Sequence, residues 1–149
     1  MRDPVPAARG DISELTAFLH AADLTSVGLD DPDLHLWIDL DPDGRIVATT
    51  GFELVDSAVL LRSLAVTPLL RGAGRGTWLV RFALDRAIDF GATRAWLFSR
   101  RSGPFWQSMG FEPAATEDLV AAVGSTQQVL AFTVTGQLDD EQAWTRALP

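Results

Sequence analysis

The apolar positions recur at two different spacings along the chain. Leu15, Phe18 and Leu19 sit three and four residues apart within 12–22, the spacing of one face of a helix. Asp11 ahead of that run, with Glu14 three positions on, predicts a capping box at its start. Residues 34–40, 45–54 and 58–66 read instead as strands rich in Ile, Val, Leu and Thr. Asp41-Pro42-Asp43-Gly44 and Val55-Asp56-Ser57 are turns between them, which predicts an antiparallel meander. A short strand at 5–8 precedes the first helix. A second helix, 74–90, carries Leu79, Val80, Ala83, Leu84, Ala87 and Ile88 on its apolar face and stops at Gly91. The strand predicted at 94–98 then lies parallel to 58–66 through a right-handed crossover. Short helices are expected at 105–109 and 117–123, a last strand at 128–135 and a terminal helix at 139–147. The fold class is α/β (α+β), with a mixed, mostly antiparallel central sheet flanked by helices.

At 149 residues the chain fits one domain, 1–149, with one substantial core. No apolar run reaches the length of a membrane span, and the first residues lack the apolar core of a leader, so a cytoplasmic protein with no membrane partner is expected. The absence of cysteine excludes disulfides, zinc–thiolate sites and thiol nucleophiles. All twelve basic residues are arginine, so Schiff-base chemistry on lysine is excluded as well. A net charge of −8 argues against a nucleic-acid partner. Arg71, Arg75 and Arg81 nevertheless fall within one short stretch able to attract a phosphate.

That stretch lies in Val66-Thr67-Pro68-Leu69-Leu70-Arg71-Gly72-Ala73-Gly74-Arg75-Gly76, which joins an apolar strand to an amphipathic helix. Three alternating glycines let a ligand approach the main chain, and successive N–H groups at a helix start converge on an anion. A Walker A loop is excluded because it needs lysine, and a dinucleotide fingerprint because Thr77 stands where its third glycine belongs. Asp39, Asp41, Asp43 and Gly44 imitate the front of a calcium loop. Thr50 occupies the position of its bidentate glutamate, however, and no metal is expected. His20 and His35 have no ligand spacing. Trp37, Trp78, Trp96 and Trp144 read as core or interface residues.

Arg71-Gly72-Ala73-Gly74-Arg75-Gly76, preceded by Val66-x-Pro68 and followed later by Phe105-Trp106-Gln107-Ser108-Met109-Gly110-Phe111, resembles the GNAT superfamily of acetyl-CoA-dependent N-acetyltransferases. Element order agrees from about residue 5 to 135. The run Leu61-Arg62-Ser63-Leu64-Ala65-Val66 and the tail also resemble, more weakly, the acetyltransferases found with arsenic-resistance genes, which act on arsinothricin-like or phosphinothricin-like amino acids. The resemblance implies acetyl-CoA as co-substrate, held by Leu64, Ala65, Val66, Arg71, Gly72, Ala73, Gly74, Arg75, Gly76 and Thr77. It implies that the strands 58–66 and 94–98 splay after Val66, that the pantetheine arm inserts between them, and that the primary amine of a small, amino-acid-like molecule attacks the thioester. The carboxylate that relatives often carry at the start of the strand before the loop is replaced here by Val59, Leu60 and Leu61. Glu53 is therefore the expected base and Asp56 the second candidate. Trp106 stands where many relatives have a tyrosine acid, and the chain has no tyrosine, which leaves Ser102, Ser108 or water. Arg62, beside Ser63, is expected either to clamp a substrate carboxylate or to pair with an internal acid; Arg100 and Arg101 flank the expected cleft. The alternative is a non-catalytic acyl-CoA-binding sensor or regulatory module. A homodimer through the tail is open.

Overall fold

The structure, a computed structural model, describes residues 2–149. Strand β1 (Val5–Pro6) leads into helix α1 (Ile12–Ala21). Strands β2 (Leu34–Leu40), β3 (Ile46–Val55) and β4 (Ala58–Val66) follow, then helix α2 (Arg75–Asp89) and strand β5 (Arg94–Phe98). The remainder comprises α3 (Gly103–Ser108), β6 (Glu112–Ala114), α4 (Thr116–Val123), α5 (Gln127–Thr135) and β7 (Ala143–Ala147). The strands form one sheet in the order β1-β2-β3-β4-β5-β7-β6. Among the described residues only β4 and β5 pair in parallel; β2, β3 and β4 are antiparallel, as the meander predicts, and so are the β1–β2, β5–β7 and β7–β6 pairs.

Apolar alternation puts a core on each face of this sheet. Val59 and Leu61 of β4 pack with Leu97, Val80, Leu84 and Trp106 beneath α2 and α3. Leu60, one residue out of phase, packs with Trp96, Leu119, Val123 and Val129 beneath α4 and α5. A third cluster, built on Leu15, Leu36 and Ile38, sits under α1.

The parallel pairing ends early. Registers join Ala58 to Arg94, Val59 to Ala95 and Leu60 to Trp96, after which β4 continues alone to Val66. The strands therefore part after Leu60 rather than after Val66. The cause lies on the other edge of β4. Between Thr49↔Ala65 and Gly51↔Arg62 the single residue Thr50 faces both Ser63 and Leu64, so β4 holds an extra residue there. Ser63 takes a φ of 62°, and its carbonyl accepts a hydrogen bond from Thr49 Oγ1 at 2.5 Å. A bulge of this kind bends and twists the strand that carries it. Meanwhile β5 is drawn the other way, pairing with β7 from Arg94↔Ala147 to Phe98↔Ala143.

Three further expectations are overturned. Residues 128–135 form helix α5, not a strand: Thr126 Oγ1 caps it by accepting the Val129 N–H at 3.4 Å, and Val129 and Phe132 share the buried face. Their β-branched and aromatic side chains suit a strand, but tertiary burial at a three-residue step decides otherwise. The tail is not a helix: a 3₁₀ turn (Gln137–Asp140) leads into β7, which fills the slot between β5 and β6. The capping box at α1 is also absent. Asp11 Oδ2 accepts from the Ala8 N–H at 2.7 Å, while Glu14 Oε2 reaches across to the Ile46 N–H at 2.7 Å.

His35 on β2 lies against Phe52 and Phe90, with ring centroids 5.3 Å and 4.5 Å away. Burial lowers its pKa below the ordinary 6.5, against the opposing charge of Asp33. A lowered folded value means that the unfolded chain binds the proton first, so stability is present above about pH 6.5 and lost as pH falls through the lowered value. Urea midpoints measured from pH 7.5 down to 5 should fall in that window, and less so in His35→Leu. Thr126→Val should lower stability by about 1 kcal/mol in the same assay, through loss of the α5 cap; a strand at this position would show no such cost.

Candidate functional site

The loop after β4 is built around its main chain. A 3₁₀ turn (Pro68–Leu70) carries the chain to Gly72 and Gly74, whose φ values are 85° and 80°. A Cβ at either glycine would find no protein atom within 4 Å, so packing does not require the bare backbone; the left-handed conformation does. Gly74 is the N-cap of α2, and no side chain caps the helix. The first helical bond runs from Trp78 N–H to Gly74 O, so the N–H groups of Arg75, Gly76 and Thr77 have no intrahelical acceptor. They stand at the positive end of a 15-residue helix dipole.

A cavity of about 460 Å³ opens over these groups, lined by Leu64, Ala65, Val66, Arg71, Gly72, Gly74, Gly76 and Thr77. Ala73 and Arg75 lie outside it. Arg75 is turned away and ion-paired with Asp39 on β2, so it adds little charge to the loop. Arg71 stays at the cavity, its Nε donating to Val66 O at 3.0 Å. Arg81 is not part of this arrangement: it borders a separate depression with Asp85 and Arg146, behind α2.

Leu64 and Phe105 continue from this cavity into a second one, of about 200 Å³, at the opening between β4 and β5. Thr67 N–H donates to Val47 O, which turns the amide groups of Val66 and Leu64 toward the opening by the alternation of a strand. The second cavity penetrates the sheet. Leu61, Leu97 and Trp106 line it from the α2 face, and Arg62, Phe98 and Gln128 from the α5 face. Ser99, Ser102 and Gln128 then lead into a third hollow of about 280 Å³, between α5, the 22–25 segment and the Arg100–Arg101 corner.

Arg62 is the charged group at the centre of this passage, with a side chain 0 % exposed. Its Nη1 pairs with Glu53 Oε2 at 3.2 Å and its Nε donates to Ser63 Oγ at 3.1 Å. Its Nη2 is buried with no partner. Burial lowers the Arg62 pKa from its ordinary value, and the charge of Glu53 opposes that shift. Glu53 also accepts the Gln127 N–H at 2.6 Å and the Gln128 N–H at 3.2 Å, the exposed donors at the start of α5. Glu53 thus fastens β3, β4 and α5 together through three donors. This engagement explains why the expected base is 4 % exposed.

The other expected residues separate cleanly. Asp56 sits in the β3–β4 turn, at the paired end of β4 and away from the opening. Trp106 packs edge-on against Phe105 and Phe111 and serves as a wall. Ser102 borders the passage, whereas Ser108 donates to Phe105 O and faces the depression behind α2. Arg100 pairs with Glu141 at 3.3 Å beside the outer hollow, and Arg101 shares that rim. Gln128, Ser99 and Leu24 were not anticipated from sequence. The signal that would have found Gln128 is Thr126, a helix-start residue just ahead of it.

With this geometry defined, the sequence profile of the Acetyltransferase (GNAT) family matches residues 6–111. The chain belongs to that family. Solved structures agree on the fold. An acetyltransferase of the GNAT family from Staphylococcus aureus superposes with a TM-score of 0.76 at 16 % identity, covering 99 % of both chains. Rv2747 from Mycobacterium tuberculosis, crystallised with CoA, gives 0.74 at 17 % identity over 98 % of this chain and 100 % of its own. N-acetylglutamate synthase from Neisseria gonorrhoeae, complexed with coenzyme A and N-acetyl-glutamate, gives 0.72 at 15 % identity; this chain spans 36 % of that protein's length. No curated protein sequence matches. Among the described residues no helix is long and apolar enough to cross a membrane.

Glu53→Gln keeps the shape but removes the charge that compensates Arg62. Breaking a buried pair in this way costs about 3 kcal/mol. Urea unfolding should show that loss, together with faster amide exchange in the first turn of α5.

Proposed function

We propose that this member of the GNAT family transfers an acetyl group from acetyl-CoA to the primary amine of a small molecule. The observation that carries the reading is the opening of the sheet between β4 and β5, continuous with an uncapped helix start over two left-handed glycines. The pyrophosphate would rest on the loop and α2 N–H groups, with Arg71 supplying charge. The pantetheine arm would run along β4 past Val66 and Leu64, completing the pairing that the sheet abandons there. A β4 N–H donating to the thioester oxygen as it gains negative charge would lower the barrier by ~3 kcal/mol.

The amine would enter from the α5 face, opposite the coenzyme, and meet the thioester inside the passage. The ammonium first loses one proton to solvent; attack by the neutral amine then forms the C–N bond, breaks the C–S bond and expels CoA as thiolate, which takes up the nitrogen's second proton through water. Glu53 serves in this reading by holding Arg62 and the start of α5 in place, because three donors already occupy its oxygens. Water at Ser99 and Ser102 is then the route for the proton. Holding amine and thioester in line would supply much of the acceleration.

The experiment is thiol release from acetyl-CoA with and without added amines, alongside thermal unfolding. Acetyl-CoA should raise Tm by mass action, and amines should accelerate thiol release. Binding without amine-dependent turnover would mark a coenzyme-binding module instead of an enzyme. Gly74→Glu puts a carboxylate where the diphosphate belongs, at a φ that disfavours it; the Tm response to acetyl-CoA should disappear while circular dichroism still reports a folded chain. An unchanged response would overturn the assignment of the loop.

A further inference from the structure

Two buried polar atoms in the passage have no partner, and they are of opposite kind. Arg62 Nη2 is a donor and Gln128 Oε1 is an acceptor, and both residues line the cavity at the sheet opening. Leaving a buried donor or acceptor unpaired costs about 1–3 kcal/mol, more when it is charged, so such groups are normally satisfied. The two residues are also tied to one atom: Glu53 Oε2 accepts from Arg62 Nη1 and from the Gln128 N–H, each at 3.2 Å. Both residues therefore border one cavity from rigid elements, β4 and the first turn of α5.

Charge decides what fits between them. Arg62 and Glu53 already neutralise each other. A simple carboxylate bound at Nη2 would leave a net negative charge in a buried site, and a simple amine would leave Nη2 unpaired; both are costly. A molecule carrying a carboxylate and an ammonium on neighbouring atoms satisfies both orphans and adds no net charge. Resting on the acetyl-transfer reading above, we infer that the acceptor substrate is an α-amino acid, with its carboxylate on Arg62 Nη2 and its α-amino group on Gln128 Oε1. The α-amino group is then the acetylated nitrogen. Once its ammonium has lost one proton to solvent, it gives one N–H to Gln128 and keeps its lone pair free for the thioester carbon. The N–C bond forms, the C–S bond breaks, CoA leaves as thiolate and takes up the second proton through water. The side chain of the amino acid points to the outer hollow by Ser102.

The test pairs binding with turnover. Each standard L-amino acid is compared with its decarboxylated amine and its deaminated acid, by Tm in the presence of CoA and by thiol release from acetyl-CoA. At least one amino acid should raise Tm where neither of its truncated partners does, and its kcat/KM should exceed that of the amine by roughly 100-fold or more, as for a site with buried polar groups left unpaired. Gln128→Leu retains the backbone N–H that Glu53 holds, and should lower kcat/KM for the amino acid about 10-fold. Arg62→Lys keeps a cation on Glu53 but loses the second nitrogen, and should abolish preference for the carboxylate. In both variants the Tm rise with acetyl-CoA should persist. Equal response to amino acids and decarboxylated amines, no amino-acid response at all, or unaltered preference in both variants would overturn this inference and leave acetyl transfer standing. A lost acetyl-CoA response with amino-acid binding retained would instead sink the acetyl-transfer reading alone.

Discussion

A sheet that stops pairing halfway along two of its central strands must leave main-chain amides facing a void, and that constraint organises this molecule. Buried N–H and C=O groups are almost always satisfied, so an opening of this kind is stable only if its edges face solvent or a ligand. Here β4 runs six residues beyond its last pair with β5, from Leu61 to Val66, and those residues border two of the cavities. The bulge at Ser63 turns β4 aside on one edge, and β7 holds β5 on the other. The opening is thus flanked by a bulge on one side and a competing strand on the other.

Glu53 is the second organising feature. Its carboxylate gathers a guanidinium from β4 and two helix-start amides from α5, so the helix that floors the passage is positioned by the same group that neutralises Arg62. A buried ion pair of this kind is a poor source of stability by itself, since desolvation offsets much of the attraction. Its value is geometric: it fixes the direction of Arg62, whose second terminal nitrogen stays buried without a partner. The glycine loop works on the opposite principle, presenting backbone amides with almost no side-chain support. Arg75, which belongs to the loop in sequence, is spent on Asp39 and fastens the helix start to β2.

How far the fold could be read from the chain varied with the kind of signal. The meander, the α2 face and the parallel crossover were legible because their apolar spacing has one period and their turns carry Asp, Gly and Pro in turn positions. Residues 128–135 and 139–147 were misread because short segments of mixed propensity are decided by what they pack against. Val129 and Phe132 bury at a helical step against α4 and β5, and Trp144 is drawn into the sheet by the empty edge of β5. That exchange also hid Gln128, since a strand there would have no first turn to hold.

The sequence by itself determined the glycine loop after β4. Its chemistry is local: neighbouring residues, left-handed glycines and a helix start need only be contiguous to work, and contiguity is written in the chain. It also named Arg62 as a charge out of place on an apolar strand. Only the tertiary structure decided what Arg62 and Glu53 touch, because their partners come from β3, β4 and α5, and no spacing rule links position 53 to position 128. The passage through the sheet was likewise settled by long-range forces, namely a bulge on one edge of β4 and a competing strand on the far side of β5.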